Sequence, residues 1–496
     1  MTFIDLQFGI FLLVSILLFY LCPVKQRWKV LLLVSLVFYA IAGLRYLPFI
    51  FVTSFTVYYA GCRMGKVYEA LEKELAEKEL DRKEKKLKKE QAKQVCKRIM
   101  LLALVGNLVI LCIVKFTKFF IDPINHLLMA VGGNGTFTAA DIIVPLGISY
   151  YTFSALSYLL DVYWKRVEYE KSYSRFLLYL IYFPHILQGP IEHYGRLGQR
   201  LKKELTFDYD RVCKGIQLML YGYFKKLVIA DRINPFITTA YQNHNTTAGS
   251  ILLLAMFLDV VYIYADFSGC MDIGRGVSEI FGIEMDLNFN HPFSSKTVTE
   301  FWRRWHISLS KWFRDYVYIP LGGSRVSIPR NILNLAIVWL LTGIWHGASY
   351  SFIVWGIMYF VALVIEKYVV KPQTHENVVF GLLYRIAVLL YINFGWVIFN
   401  ADGIKQGVRY WLSMAGAYYA NPLTDTMVVR MMREYGVFLA AGILFATPIA
   451  KCLADKLSKY KVVRLCIIPA FYIGGGAWAV SYLILGAHNP FIYFNF

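Results

Sequence analysis

Two histidines in apolar surroundings are the residues of this sequence best placed to do chemistry. His306 lies in FWRRWHISLSKWFRDYVYIPLGG, and His346 lies in TGIWHGAS between two hydrophobic runs. An ionisable group at membrane depth is costly, so it usually faces a cavity where it reacts or passes a substrate. A neutral imidazole can remove the proton of a hydroxyl group near neutral pH, and burial favours the neutral form. We predict that both are site residues; the alternative for each is a structural hydrogen bond in a buried position.

The sequence around His306 places polar and aromatic side chains at helical spacing. If this region is one helix, residues three or four apart share a face, so Trp302, His306 and Ser310 form one stripe. That stripe presents an imidazole and a hydroxyl to a cavity, while a second stripe presents charge to water or to an anionic substrate. Alternatively, His306 only forms a hydrogen bond at the membrane interface, and its arginines are anchors. The second stripe contains Arg304, Ser308, Lys311 and Asp315, and the predicted substrate-binding or tunnel-lining residues are Trp302, Arg303, Arg304, Trp305, Ser308, Ser310, Arg314, Asp315, Trp345 and Asp266.

Other polar residues within apolar runs allow two interpretations. Asp266 in YADFSGCMD and His185 in YFPHILQGP could line a tunnel. Each could equally cap a helix or satisfy backbone groups that neighbouring Pro and Gly residues leave unbonded. Lys225 and Lys226 in YGYFKKLVIADR predict the cytoplasmic end of a helix.

The composition is that of an integral membrane protein. The chain has 496 residues, of which 57% are hydrophobic, whereas soluble domains are roughly 45–50% apolar. The mean hydropathy is +0.48, and apolar runs near the roughly 20 residues that cross a bilayer recur along the chain. The formal net charge is +19, from 52 Lys and Arg against 33 Asp and Glu. These basic residues fall mostly between the apolar runs, as the positive-inside rule expects, and no nucleic-acid-binding module accompanies them. We predict contact with the lipid bilayer and no nucleic-acid partner.

The pattern of apolar runs predicts an all-α, polytopic membrane protein. We expect about 11 transmembrane helices plus re-entrant and interfacial helices, because segments broken by Pro and Gly suit buried re-entrant loops. The basic turn at Lys25, Arg27 and Lys29 and the charged stretch 63–98 should both be cytoplasmic, which places the N-terminus outside. We predict that 63–98 is a charged cytoplasmic helical insertion. It either connects two spans and fixes the topology or docks a partner.

Several kinds of chemistry lack their usual residues. The eight cysteines are scattered without a CxxC pair or a histidine at ligand spacing, so neither a metal site nor a disulfide framework is indicated. The sequence contains no GxSxG elbow, Walker loop or HExxH motif. We predict no metal and no bound cofactor, and the cofactor-binding residues stay unassigned.

Long blocks of the sequence resemble the membrane-bound O-acyltransferase (MBOAT) family, within it the branch of the alginate O-acetylation membrane protein. The resemblance covers nearly the whole chain and implies a single MBOAT domain over 1–496. The blocks that carry it are VPLGISYYTFSALSYLLDVY (144–163), YFPHILQGPI (182–191), YADFSGCMDIGRG (264–276), NFNHPFSSKTVTEFWRRWHISLSKWFRDYVYIPLGG (288–323), TGIWHGASYSFIVWG (342–356) and the terminal PFIYFNF.

The resemblance implies an architecture and roles for the two histidines. His346 corresponds to the catalytic histidine of the family, and His306 corresponds to the second active-site position. A ring of helices surrounds a thinned centre, and a tunnel joins a cytoplasmic acyl donor to an extracytoplasmic acceptor. We expect His346 to deprotonate a hydroxyl that attacks a thioester, while His306 positions a substrate or stabilises the charge that develops on oxygen.

The resemblance also implies the substrates, partners and location. The donor is acetyl-CoA or the thioester of an acyl carrier, used as a substrate, and the acyl group is expected to be acetyl. The acceptor is a hydroxyl of a cell-surface polysaccharide or of a secreted SGNH-type acetyltransferase. The protein is expected in the bacterial cytoplasmic (inner) membrane. The alternatives are D-alanyl transfer to teichoic acid from a carrier protein, a polysaccharide or lipid transporter, and a non-catalytic scaffold.

Overall fold

All regular structure in the described part of the chain is helical. The computed structural model describes residues 1–130, 144–187, 189–375, 377–417, 425–486 and 489–491, and no strand occurs in these ranges. The helices are α1 (Leu6–Leu21), α2 (Arg27–Ala42), α3 (Leu47–Glu77), α4 (Arg82–Ala130), α5 (Ile148–Tyr163), α6 (Tyr173–Ile181), α7 (Phe183–Ile186), α8 (Gln199–Lys202), α9 (Tyr209–Tyr223), α10 (Asp231–Gln242), α11 (Gly249–Ile280), α12 (Val298–Arg304), α13 (Ile307–Phe313), α14 (Ile328–His346), α15 (Tyr350–Val364), α16 (Val378–Asn400), α17 (Ile404–Met414), α18 (Asp425–Ala446), α19 (Ile449–Leu457) and α20 (Ile468–Ile484). Short π turns occupy Tyr194–Gly198, Phe224–Ala230, Arg314–Tyr318, Ile365–Val370 and Val463–Ile467, and 3₁₀ turns occupy Val24–Gln26, Leu44–Tyr46, Pro292–Ser294 and Pro372–Thr374.

Six of the described helices are long and apolar enough to cross a membrane. A seventh span results if the bent pair Val24–Ala42 and Leu44–Glu77 is counted as one. These findings confirm an all-helical, multi-pass membrane protein, while the count of 11 crossings and the tunnel stay predictions. The six helices are Arg82–Thr117, Gly249–Ile280, Ile328–His346, Tyr350–Val370, Val378–Asn400 and Val463–Ile484.

The chain divides into two compact units. The first contains Met1–Cys213 and Val277–Met285, and the second contains Lys214–Gly276 and Asp286–Phe496. In the first unit the charged stretch 63–98 is a helical hairpin made by the end of α3 and the start of α4. Glu74 of α3 pairs with Lys88 of α4 and with Lys78, the residue that follows α3. Because opposite charges meet across the hairpin, the polar halves of the two helices hold together outside the apolar region.

In the second unit, α14 and α15 form a tight antiparallel hairpin. They are joined by only three residues, and glycine permits the close approach of their backbones. A Cβ atom added at Gly343 of α14 would lie 2.4 Å from the carbonyl oxygen of Phe352, and one added at Gly356 of α15 would lie 2.5 Å from that of Trp339. The neighbouring atoms are backbone, so they cannot move aside as a side chain can. The hairpin therefore depends on both glycines.

Substitution of Gly343 tests this packing. We expect Gly343→Ala to destabilise the protein by about 1–3 kcal/mol, since the added methyl group pushes α14 away from α15. Gly381→Ala in α16 is the matched control, because a Cβ atom there meets nothing within 4 Å and alanine favours a helix by up to about 1 kcal/mol. The fraction of protein that stays monodisperse after heating in detergent measures both. Equal survival of the two variants would contradict the close packing.

Candidate active site

His346 is the last residue of α14 and lies at the turn of the α14–α15 hairpin. The hydroxyl of Ser349 accepts a hydrogen bond of 3.3 Å from the backbone amide of Ser351 and caps the first turn of α15. Gly347 follows the histidine, and a Cβ atom there would lie 2.7 Å from the ring of Phe352. The turn therefore leaves no room for a larger residue beside His346. This arrangement fixes where the imidazole can point.

The ring of His346 is buried among aromatic side chains. Its side chain is 3% exposed, and its centroid lies 4.9 Å from that of Trp345, 5.2 Å from that of Trp355 and 5.0 Å from that of Phe399. These contacts are close to perpendicular, a favourable geometry for aromatic rings. The Nδ1 atom is fully buried, so Nε2 is the ring nitrogen that can face the adjoining cavity. These contacts thus hold the ring of His346 in one orientation.

The helix predicted through His306 is broken at that residue. α12 ends at Arg304, α13 begins at Ile307, and His306 has φ +45° and ψ +55°. This left-handed conformation is uncommon for a residue with a side chain and marks local strain. The prediction of one continuous helix over this region is therefore wrong. Even so, Trp302, His306 and Ser310 all line the same cavity.

Asn288 and two aromatic rings hold the imidazole of His306. Nδ1 lies 3.4 Å from Oδ1 of Asn288, and the ring centroid is 4.9 Å from that of Phe267 and 5.8 Å from that of Trp345. Burial lowers the pKa of His306 to about 3, because the charged form loses its hydration. The ring is therefore neutral at neutral pH. Trp345 contacts both histidine rings and so links the two sides of the site.

One cavity of about 810 Å³ contains both histidines in its wall. Its inner wall is aromatic and its outer wall is basic. The inner side is formed by His306, His346 and five tryptophans: Trp302, Trp305, Trp339, Trp355 and Trp396. The basic residues of the wall are Arg303, Lys311, Arg314 and Lys367.

The basic side of the cavity suits a negatively charged ligand. Arg303, Arg314 and Lys367 are exposed and Lys311 is half-buried. Among the described residues of the wall, the carboxylate is that of Glu366, and it accepts hydrogen bonds from the backbone amides of Val298 and Thr299. Positive charge at a cleft raises the local concentration of an anion, and the effect weakens with salt. The arrangement allows an anionic group to bind at the exposed side while an uncharged end reaches the histidines.

Five of the ten predicted lining residues lie on this cavity, and five do not. Those present are Trp302, Arg303, Trp305, Ser310 and Arg314. Lys311, which belongs to the predicted charged stripe, also lines the cavity. Arg304 instead pairs with Glu300 at 2.7 Å, and Asp315 pairs with Arg314. Ser308 and Trp345 are buried outside the cavity wall.

Asp266 belongs to a buried ion cluster, not to the cavity. Its carboxylate lies 2.5 Å from Nζ of Lys226, which also lies 2.9 Å from Asp231. Lys225 lies 2.6 Å from Asp272. Lys225 and Lys226 are 2% and 0% exposed, and the helical chain continues past them into α10. The prediction that they mark a helix end is therefore wrong, because buried carboxylates compensate their charges.

His185, in the first unit, makes a structural hydrogen bond to the backbone. It is 1% exposed, and Nε2 lies 3.0 Å from the backbone carbonyl oxygen of Tyr179. The ring thus satisfies a buried carbonyl group near the end of α6.

Sequence reasoning missed Glu366 and Asn288. The carboxylate of Glu366 accepts hydrogen bonds from the backbone amides of Val298 at 2.6 Å and Thr299 at 2.9 Å, and so holds the N-terminus of α12. An acidic residue in the apolar run VALVIEKYVV was the available signal. Asn288 had no such signal, since an asparagine in a polar loop is ordinary. In the described residues, no three His, Cys, Asp or Glu side chains come together as a metal site would require.

Comparison with known proteins gives one family and several relatives. The sequence model described as "MBOAT, membrane-bound O-acyltransferase family" matches residues 78–401. The probable alginate O-acetylase of Azotobacter vinelandii is 30% identical over 508 residues, which cover 97% of this chain and 96% of that protein. The peptidoglycan O-acetyltransferase of Helicobacter pylori is 26% identical, and the match covers 94% of this chain and 91% of that protein. The teichoic acid D-alanyltransferase of Bacillus subtilis is 29% identical, and the match covers 52% of this chain and 69% of that protein.

The buried ion cluster makes a prediction about stability. Lys226→Met leaves Asp231 and Asp266 without their cation, so we expect a loss of about 3–5 kcal/mol. Asp266→Asn leaves the Lys226–Asp231 pair intact and should cost less. Asp315→Asn, which removes a partner of the more exposed Arg314, is the control and should cost about 0–1 kcal/mol. Thermal unfolding in detergent ranks the three variants. A Lys226→Met variant as stable as Asp315→Asn would show that the cluster does not hold the fold.

Proposed function

The chain belongs to the membrane-bound O-acyltransferase family and is an acyltransferase, and from this premise we propose that it moves an acetyl group from a cytoplasmic thioester to a hydroxyl outside the cell. The observation that carries the proposal is the shared cavity. Two buried histidines, held by different elements, line one space whose exposed side is basic. That space can accept a charged donor and bring its acyl end to a base.

The two histidines supply the chemistry of acyl transfer. Nε2 of His346 takes the proton of the acceptor hydroxyl as its oxygen attacks the thioester carbonyl carbon. The tetrahedral intermediate then collapses, the carbon–sulfur bond breaks, and the thiolate takes the proton from the imidazolium. The products are an ester and a free thiol, and His346 is neutral again. His306, which also contacts Trp345, acts as a residue that positions a substrate.

The walls of the cavity suit an acyl thioester as donor. Acetyl-CoA and the thioesters of acyl carriers share a phosphate-bearing arm that ends in an uncharged acyl group. Arg303, Lys311, Arg314 and Lys367 face the phosphates, and the tryptophans surround the arm. No cofactor is needed for this reaction, because the thioester already carries the activated acyl group.

The relatives support a cell-envelope acceptor. The relative from Azotobacter vinelandii is named for alginate and that from Helicobacter pylori for peptidoglycan. We propose the same class of acceptor, a surface polysaccharide, reached directly or through a secreted SGNH-type acetyltransferase. The protein then lies in the bacterial cytoplasmic membrane with its N-terminus outside. D-alanyl transfer to teichoic acid is the second candidate, and the similarity to the D-alanyltransferase covers a smaller part of this chain.

Substitution of His346 tests the proposed base. In cells that lack the gene, we expect complementation with wild type to restore the O-acetyl content of the surface polymer and His346→Gln to leave it at the background of the deletion. Glutamine keeps most of the side-chain volume but cannot take a proton. His375→Gln is the matched control, because His375 is exposed and lies outside the cavity wall. All variants are compared at equal membrane abundance.

Two outcomes of this experiment would contradict the proposal. O-acetylation restored by His346→Gln would remove the general base. A polymer that is normally acetylated in the deletion strain but not exported would instead indicate a transporter.

Reversal of one charge in the cavity wall tests the binding of the donor. With radiolabelled acetyl-CoA supplied to membrane vesicles, we expect Arg303→Glu to raise KM about threefold to tenfold with a smaller change in kcat, because an exposed contact to phosphate is worth about 1 kcal/mol. The difference from wild type should shrink as salt is added. Arg325→Glu is the control, since Arg325 is exposed but lies outside the cavity wall. Equal KM values for the two variants would place the donor elsewhere.

A further inference from the structure

Asn288 makes a set of hydrogen bonds that surround His306. Its backbone carbonyl accepts from the amide of Ile307 at 3.0 Å. Its side-chain Oδ1 accepts from the amide of Ser308 at 2.9 Å and lies 3.4 Å from Nδ1 of His306. Asn288 is 1% exposed, so water does not compete for these bonds. One buried residue thus bonds to the ring of His306 and to the two backbone amides that follow it.

These bonds hold His306 in its strained conformation. Besides the bond from Ile307 to Asn288, the amide of Asn290 donates to the carbonyl of Arg304 at 2.9 Å. The segment 288–290 therefore pairs with the backbone on both sides of the break between α12 and α13. A left-handed residue with a side chain persists only where its surroundings determine it strongly. Without the acceptors of Asn288, the first amides of α13 lose partners that a helix cannot supply for itself.

The same bonds define which nitrogen of His306 carries the hydrogen. The amide of Ser308 can only donate, so the Asn288 atom that it contacts is the oxygen, not the nitrogen. An oxygen facing Nδ1 of His306 requires a hydrogen on that nitrogen. A neutral imidazole has only one N–H, so Nε2 is left as an acceptor. A neutral His306 in this tautomer has no N–H to offer to a developing oxyanion.

We propose that Asn288 is a positioning residue that fixes the left-handed backbone and the Nδ1–H tautomer of His306, so that His306 acts as a hydrogen-bond acceptor and not as an oxyanion donor. This inference rests on the proposed function for its catalytic meaning. It selects one of the two roles expected for His306, that of orienting a substrate group. A hydroxyl or thiol is the kind of group that such an acceptor orients.

The surroundings of His306 make this role sensitive to a charge at position 288. Phe267 from α11, Trp345 from α14 and Asn288 contact the ring, and these three side chains are uncharged. The other titratable ring of the site, His346, also contacts Trp345. A carboxylate at 288 keeps the acceptor for Ser308 and adds a negative charge beside Nδ1. That charge favours the imidazolium, so the neutral form of His306 is lost at a higher pH than in wild type.

Kinetics of two Asn288 variants test the proposal. With radiolabelled acetyl-CoA and membrane vesicles, Asn288→Asp should keep kcat near that of wild type at alkaline pH, because its carboxylate still accepts from the amide of Ser308 and from Nδ1–H of His306. Asn288→Leu should lower kcat more than tenfold with little change in KM. Asn393→Asp and Asn393→Leu are the controls, because Asn393 is also buried but donates to Leu389 within its own helix. An Asn288→Asp variant as impaired as Asn288→Leu, or wild-type kcat for Asn288→Leu, would overturn the proposal.

Thermal unfolding gives a second test that does not need the activity. The melting temperatures of Asn288→Leu, His306→Gly and the double variant form a cycle. Glycine at 306 tolerates the positive φ, so the cycle reports the side-chain contact. We expect the double variant to melt at a higher temperature than the sum of the two single losses predicts, because each single variant already removes the same contact. A melting temperature equal to that sum would show that the two side chains are not coupled and would contradict the contact. If wild-type vesicles transfer no acetyl group, the proposed function fails while the cycle still decides the role of Asn288.

Discussion

A polar group that leaves water must find its partner inside the protein, and the site described here depends on how two such groups are satisfied. Glu366 is buried, and its carboxylate holds the first amides of α12. Asn288 serves the first amides of α13 in the same way. Each of these helices has only seven residues, too few to be stable alone. Their ends are therefore fixed by side chains from elsewhere in the second unit.

The strain at His306 follows from this arrangement. A residue in the left-handed region costs roughly 1–3 kcal/mol, and the cost is offset by backbone bonds on both sides of the break. Trp302 before the break and Ser310 after it still line one cavity, and His306 lies between them in the chain. The strain is located where the proposed chemistry takes place, as is common at functional sites.

The sequence was sufficient for the parts of this structure that have local signals. Hydropathy predicts helices in a membrane, and an imidazole in an apolar run is rare enough to indicate a site. The break at His306 has no local signal, because neither Pro nor Gly marks it and the apolar pattern continues through it. The burial of Lys225 and Lys226 lacks a local signal for a related reason. Asp266, the partner of Lys226, is 40 residues away along the chain, and a charge looks solvent-exposed until its partner is known.

The change of the cavity wall from basic to aromatic has a chemical reason on the proposed function. An acyl thioester must be reached by a hydroxyl before it is reached by water, since both are oxygen nucleophiles. His306 and His346 are 2% and 3% exposed, and the tryptophans leave little surface that binds water. Exclusion of water strengthens the electrostatic interactions in the site and prevents hydrolysis. The charged groups that attract an anionic donor must then stay at the exposed side, because a cation beside the imidazoles would hold them in one protonation state. The separation of binding charge from neutral base is therefore a requirement of the chemistry, and the α14–α15 hairpin maintains it by fixing His346 at the buried end.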